Sequence, residues 1–170
     1  AEKLELGLYE EAEKLFTSAL ALAENADPTG AACVACLNNL TELFLQQLET
    51  EKAEPHCRRS LEIAEKCFGV DHPNLLRTVQ NLAVIYSISR NYKDCLPLYQ
   101  RALSIRVAQL GSEHTDVASD LMALAWVHQR LGRATESEAL YKQALSIREN
   151  LFGTIHAHVT ESMYQLGSFY

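Results

Sequence analysis

Four leucines, Leu40, Leu82, Leu124 and Leu166, stand 42 residues apart. Leu61, Leu103 and Leu145 keep the same interval, as do Gly69, Gly111 and Gly153, and again His72, His114 and His156. Residues 76–117 laid on 118–159 share 12 identities in 42 positions, and seven of these fall where 98–106 meets 140–148. Identities clustered in that way mark a true internal repeat. A chain with such a period is built from copies of one supersecondary unit, each burying its apolar face against its neighbours.

Each unit reads as two helices. Leu75, Val79, Leu82, Ala83 and Tyr86 recur at three- and four-residue spacing, one face of a helix over about 74–89. Arg90 and Asn91 break the pattern, and Gly132 stands where Arg90 does one repeat earlier, a common helix stop. A second helix follows over 92–109, with Cys95, Leu98, Tyr99, Ala102, Leu103 and Ile105 on its buried side, and Gly111 ends it. No segment shows sustained strand alternation, so the expected class is all-α. The register gives partial repeats at 1–30 and 157–170 and full ones at 31–72, 73–114 and 115–156. Within the first partial repeat, 1–6 reads as the tail of a first helix. Residues 8–25 read as a second helix, burying Tyr9, Ala12, Leu15, Phe16, Ala19 and Leu20. The chain starts and stops in mid-repeat without a polar capping element, which reads as a fragment of one continuous array.

Composition narrows the function. A net charge of −7 argues against a nucleic-acid binder and against an anionic membrane surface, both of which need clustered Lys and Arg. No run of uncharged apolar residues is long enough for a transmembrane helix. The start, Ala1-Glu2-Lys3-Leu4-Glu5, lacks the features of a secretory signal. Five cysteines, an odd number, fit a reducing compartment. Cys33 and Cys36 form a C-x-x-C, but no further ligands follow to complete a zinc site, so they read as small apolar residues. The phosphate-loop, dinucleotide, nucleophile-elbow and zinc-protease motifs are all missing. The chain therefore reads as non-enzymatic, with no cofactor and no metal.

Counting Leu82 as seventh in its unit puts Ala83 eighth, Tyr86 eleventh, Cys95 twentieth, Tyr99 twenty-fourth and Ala102 twenty-seventh. This small–large pattern resembles the tetratricopeptide repeat. The 42-residue length and the loops Phe68-Gly69-Val70-Asp71-His72-Pro73, Leu110-Gly111-Ser112-Glu113-His114-Thr115 and Phe152-Gly153-Thr154-Ile155-His156-Ala157 are similar to the long repeats of the kinesin light chain. The resemblance covers nearly the whole chain. It implies a right-handed superhelix, an α-solenoid of antiparallel helix pairs, whose first helices line a concave groove. It also implies a cytoplasmic protein, associated with the cytoskeleton or the cilium.

The three histidines lie one repeat apart, too far for one metal ion, and read as structural groups of the turns. Arg106 and Arg148 read as salt-bridging surface residues that complement the helix dipole. For the groove, the resemblance carries over Asn38, Asn39, Glu42, Leu45 and Gln46 from the first full repeat. The second gives Arg77, Gln80, Asn81, Val84, Ser87 and Ile88. The third gives Ser119, Met122, Trp126, Gln129 and Arg130, and the last helix Glu161, Tyr164 and Gln165. Asn amides can hold an extended peptide backbone, and Trp126, Val84, Ile88, Met122 and Tyr164 offer apolar surface between them. Trp126 lies two places after Leu124, off the face shared by Leu124 and Val127, and reads as an aromatic anchor. The family's clamp for C-terminal carboxylates is not met: its places hold Asn38, Glu42, Asn81, Ser119 and Ala123, of which Asn81 alone fits. Arg77 and Arg130 leave room for an acidic or mixed peptide with an aromatic residue.

The expected function is thus a scaffold that binds a protein or peptide partner in its groove, with no nucleic acid and no membrane insertion. Two alternatives stand beside it. One is an architectural solenoid, such as a ciliary scaffold, self-associating through uncapped ends around Leu4 and around Tyr164, Leu166 and Phe169. The other is the regulatory array of a larger enzyme or receptor.

Overall fold

The computed structural model describes the backbone of residues 2–170 and the side chains from residue 7 onward. Every regular element among the described residues is helical. The chain forms two compact units that meet in sequence at Ser89 and Arg90. The first holds α1 (Glu2–Ala26), α2 (Ala31–Gln46), α3 (Thr50–Phe68), a 3₁₀ turn (Pro73–Leu75) and α4 (Leu76–Ile88). The second holds α5 (Tyr92–Leu110), α6 (Thr115–Arg130), α7 (Ala134–Phe152) and α8 (Ala157–Phe169). Helices α2 and α3 pack together as a pair, as do α6 and α7, while α4 closes the first unit and α5 opens the second.

Packing follows the small–large pattern. On α3, Ala53, Cys57, Ser60 and Ala64 are fully buried, which lets its backbone approach α2 and α4. Leu37, Leu40, Phe44 and Val79 fill the space these small residues leave. In the second unit Ser137 and Ala144 take the same part on α7. Val117, Ala118, Leu121, Ala144 and Ile147 form one cluster, with Leu103, Met122 and Leu140 against it. Burying each large aliphatic side chain contributes about 1.5–3 kcal/mol.

The turns repeat as faithfully as the core. Leu48, Arg90 and Gly132 adopt left-handed conformations with φ of 59°, 58° and 74°. Gly69, Gly111 and Gly153 close α3, α5 and α7 with φ of 87°, 80° and 74°, a region that a Cβ opposes. The next helix then starts on a histidine. His72, His114 and His156 each accept, at Nδ1, the backbone N–H two residues on, at 3.2, 3.1 and 3.2 Å. His72 and His156 also stack on Phe68 and Phe152. The histidines are structural caps, as their recurrence implies.

The N-terminal reading needs correction. Residues 2–26 form one helix that passes through Gly7, instead of a first-helix tail followed by a second helix. A glycine inside a helix costs up to about 1 kcal/mol, which does not suffice to break it. Leu20 is buried and Tyr9, Ala12 and Phe16 are half-buried, but Leu15 and Ala19 are exposed. The reason is the number of neighbours. On α7, which packs against both α6 and α8, Ala144 is sealed; α1 packs chiefly on α2, and the corresponding Ala19 stays open.

His128 occupies the place of Phe44 and Tyr86 in the earlier repeats and is buried with Nδ1 lacking a hydrogen-bond partner among the described residues. Burial first, and the Arg133 charge second, hold its pKa below the ordinary imidazole value. The unfolded chain therefore takes up the proton first as the pH falls. The stability tied to neutral His128 is complete above the unfolded value of about 6.5 and drains away as the pH drops through the folded one. His128→Phe should flatten the fall in unfolding free energy below that pH, as measured by urea titration across a pH series. An unchanged acid slope would show that His128 is not the group responsible.

Candidate functional site

The residues expected to line a groove lie on first helices, and each unit brings some of them together. In the first unit, Asn39 and Glu42 sit one turn apart on α2, and Arg77 and Asn81 one turn apart on α4, which packs against α2. Arg77 donates through Nε to Glu42 Oε1 at 2.5 Å and through Nη2 to Glu42 Oε2 at 2.6 Å. Nη2 also donates to Asn39 Oδ1 at 2.9 Å, and Asn81 Nδ2 donates to Glu42 Oε1 at 3.5 Å. The Arg77 hydrogen bond holds the Glu42 carboxyl below the usual carboxylate range, and Glu42 raises Arg77 in turn. Beside this network is an open cleft of about 220 Å³ lined by Phe16, Asn39, Glu42, Leu43 and Gln46. Leu45, Gln80, Val84 and Ser87 are half-buried, and Ile88 is exposed.

Asn38 must be removed from the set. It is 3% exposed, and its Oδ1 accepts from Ser60 Oγ at 2.9 Å and Thr78 Oγ1 at 3.0 Å. It joins α2, α3 and α4 through a buried polar knot. Consecutive helical residues point about 100° apart, and here Asn38 turns inward while Asn39 stays half-exposed.

In the second unit the focus is Trp126, half-buried on α6. Tyr92, from the first turn of α5, meets it edge-on with ring centroids 5.6 Å apart. The Arg130 guanidinium lies 5.8 Å from the Trp126 ring and 5.3 Å from the Tyr92 ring, and its Nε donates to the Tyr92 hydroxyl at 3.1 Å. No carboxylate pairs with Arg130 among the described residues. A cleft of about 190 Å³ opens beside Trp126, lined by Met122, Ala123, Trp126, Tyr141 and Gln165. Met122 is half-buried and its sulfur accepts from Ser162 Oγ at 3.4 Å; Gln129 is half-buried and Tyr164 is exposed. Tyr92 and Tyr141 belong to second helices and were not among the expected residues. The aromatic character of Tyr92 directly after the Arg90–Asn91 break was the available signal.

Arg106 and Arg148 form ion pairs as expected, but away from the open surface: Arg106 is half-buried and Arg148 buried. Arg106 donates from α5 to Asp120, which is buried on α6, and to Asp116. Arg148 is 3% exposed and reaches from α7 to the His158 carbonyl, Glu161 and Ser162 on α8 and to Ser119 on α6, each at 3.0 Å. Ser119 and Glu161 are thereby engaged in packing. The five cysteines are free, and Cys33 is buried, its pKa raised chiefly by that burial. Among the described residues no cluster of His, Cys, Asp or Glu could hold a metal ion, and no helix is long and apolar enough to cross a membrane.

The family model for the tetratricopeptide repeat matches residues 46–94 and 77–150. The chain belongs to the tetratricopeptide repeat family. Solved tetratricopeptide structures share its fold. A Podosopora anserina protein, a candidate kinesin light chain with nearly identical TPR-like repeats, aligns with a TM-score of 0.86 at 20% identity, over 98% of this chain and 79% of that one. A single-substitution form of it gives the same values. BtubC (BKLC) from P. vanneervenii aligns with a TM-score of 0.72 at 24% identity, over 95% of this chain and 65% of that one. Comparison with curated proteins gave no match. The tetratricopeptide register explains why Thr78, Asp120 and Ser162 occupy equivalent places: each is the third residue of its unit and faces the preceding second helix.

Asn38→Ala should destabilise the protein by about 1–3 kcal/mol, because Ser60 and Thr78 lose a buried acceptor. Asn39→Ala, at the half-exposed neighbour, should cost well under that. Chemical denaturation of the two variants compares them directly; equal costs would contradict the assignment of Asn38 to the core.

Proposed function

We propose that this tetratricopeptide chain is a non-enzymatic interaction scaffold that receives an extended segment of a partner protein along its first helices. Repeat arrays of this kind present long surfaces made by successive units, and protein partners use them. The observation that carries the reading is the cleft beside Trp126. It combines a half-buried indole with the Met122 thioether, and Arg130, which has no carboxylate partner among the described residues, lies over the same indole ring. Trp, Tyr and Arg are the residue types that most often dominate binding energy. Asn39, Asn81, Gln129 and Gln165 add neutral donors and acceptors suited to peptide backbone. The proposal takes the chain to be cytoplasmic, which its free thiols support.

A second reading, self-assembly, is favoured by exposed apolar side chains on the terminal helices: Leu8, Leu15 and Leu22 on α1, and Met163 and Tyr164 on α8. Leu166 and Phe169 are half-buried, with Phe169 close to Tyr141, and the Leu4 side chain lies outside the described residues.

The test starts from a peptide selected by display against the wild-type protein. Trp126→Ala should weaken its binding by about 2 kcal/mol, roughly thirtyfold, and Asn81→Ala by less, both with unchanged helical circular dichroism. Full binding by both variants would contradict the groove reading. Light scattering on the same samples separates the alternatives: a mass independent of concentration removes self-assembly.

A further inference from the structure

Two arginines stand on the surface proposed to receive a partner, and their surroundings differ. Arg130 lies over two aromatic rings, with no carboxylate beside it among the described residues. Arg77 is held by both oxygens of Glu42, a bidentate match of guanidinium to carboxylate. Asn39 takes a further Arg77 proton, and Asn81 donates to the same carboxylate. Glu42 comes from α2 and Arg77 from α4, so the pair crosses between two first helices at the wall of the 220 Å³ cleft.

We propose that Glu42 is an internal stand-in for a partner's carboxylate, so that the first unit accepts an uncharged stretch of a bound segment and refuses an acidic one. This inference rests on the groove reading above. A glutamate or aspartate approaching Arg77 meets the Glu42 charge and finds the guanidinium edge already occupied. What stays available is neutral: the second amide proton and the carbonyl of Asn81, and the amide protons of Asn39. These fit backbone groups and amide side chains. A glutamate is already ionised at neutral pH, and the Arg77 hydrogen bonds lower the Glu42 carboxyl further, so the stand-in keeps its charge under ordinary conditions. The pair is partly exposed, with side-chain exposures of 48% for Arg77 and 39% for Glu42. A solute therefore reaches it from the cleft side, and added salt weakens its effect.

The experiment uses two fluorescein-labelled peptides, one rich in glutamate and its twin with glutamine at every glutamate. Anisotropy titrations are run on the wild type, Glu42→Gln, and the double variant Glu42→Gln/Arg77→Gln, each checked for folding by chemical denaturation. Glu42→Gln should bind the glutamate peptide about tenfold more tightly while the twin stays within about twofold, the gain shrinking at high salt. The double variant should lose the gain. An unchanged glutamate affinity, an equal change for both peptides, or a gain that survives loss of Arg77 would each overturn the masking role. Each of these would leave Glu42–Arg77 as a plain link between helices. Binding of neither peptide by any form would instead overturn the groove reading, and the masking with it.

Discussion

Close approach of helix backbones is the constraint from which the rest of this structure follows. Ala53 and Ser60 on α3, and Ser137 and Ala144 on α7, have no exposed surface. A larger residue at any of these places would push neighbouring helices apart, because a packed interior has little room to relax. Aromatic and aliphatic residues, Phe44, Leu37 and Leu40 in one repeat and Leu121, Leu124 and Tyr141 in another, fill what remains. Backbone turns serve the same end. A left-handed residue reverses the chain inside each repeat, and a glycine followed by a histidine cap restarts it. Within each unit these devices fix the direction in which the first helices present their outer residues, and so fix which side chains meet.

One equivalent position shows how much freedom the scheme allows. The third residue of each unit faces the second helix before it, and the chain solves that contact in three ways. Thr78 joins a neutral network with Asn38 and Ser60. Asp120 takes an ion pair from Arg106, and Ser162 accepts from the nearly buried Arg148. Arg148 has its Nε without a partner among the described residues, and Glu161, its carboxylate partner, is half in solvent. Buried polar contacts of differing chemistry add little net stability over an apolar contact.

Periodicity made the helices, the turns and the histidine caps legible in the sequence, because each obeys a local rule applied several times. Less legible were effects set by neighbours in space. Leu15 and Ala19 carry the same apolar pattern as their counterparts in later helices, yet α1 has too few packed neighbours to cover them. Asn38 and Asn39 are chemically identical, and the partners that mark Asn38 as buried, Ser60 and Thr78, come from other helices. Arg106 and Arg148 read as surface charges because nothing local marks Asp120 or Ser162 as their partners across a repeat boundary. Register placed Trp126, Arg130, Arg77 and Asn81 on first helices. It did not foresee that Glu42 neutralises Arg77 while Arg130 is held by aromatic rings.

Small residues must be sealed between neighbouring helices for this packing to hold, and three of them are cysteines. Cys57 and Cys95 are fully buried on α3 and α5, as is Cys33 on α2, whereas Cys67 is exposed at the end of α3. Burial raises Cys57 to about 12 and Cys95 to about 11, so both are protonated as well as shielded. Thiol labelling with a chromogenic disulfide reagent, followed site by site by mass spectrometry, measures this packing directly. The account predicts rapid labelling of Cys67 under native conditions, with Cys33, Cys57 and Cys95 reacting only as the chain unfolds in denaturant. Labelling of Cys57 or Cys95 in the native protein at a rate near that of Cys67 would contradict it.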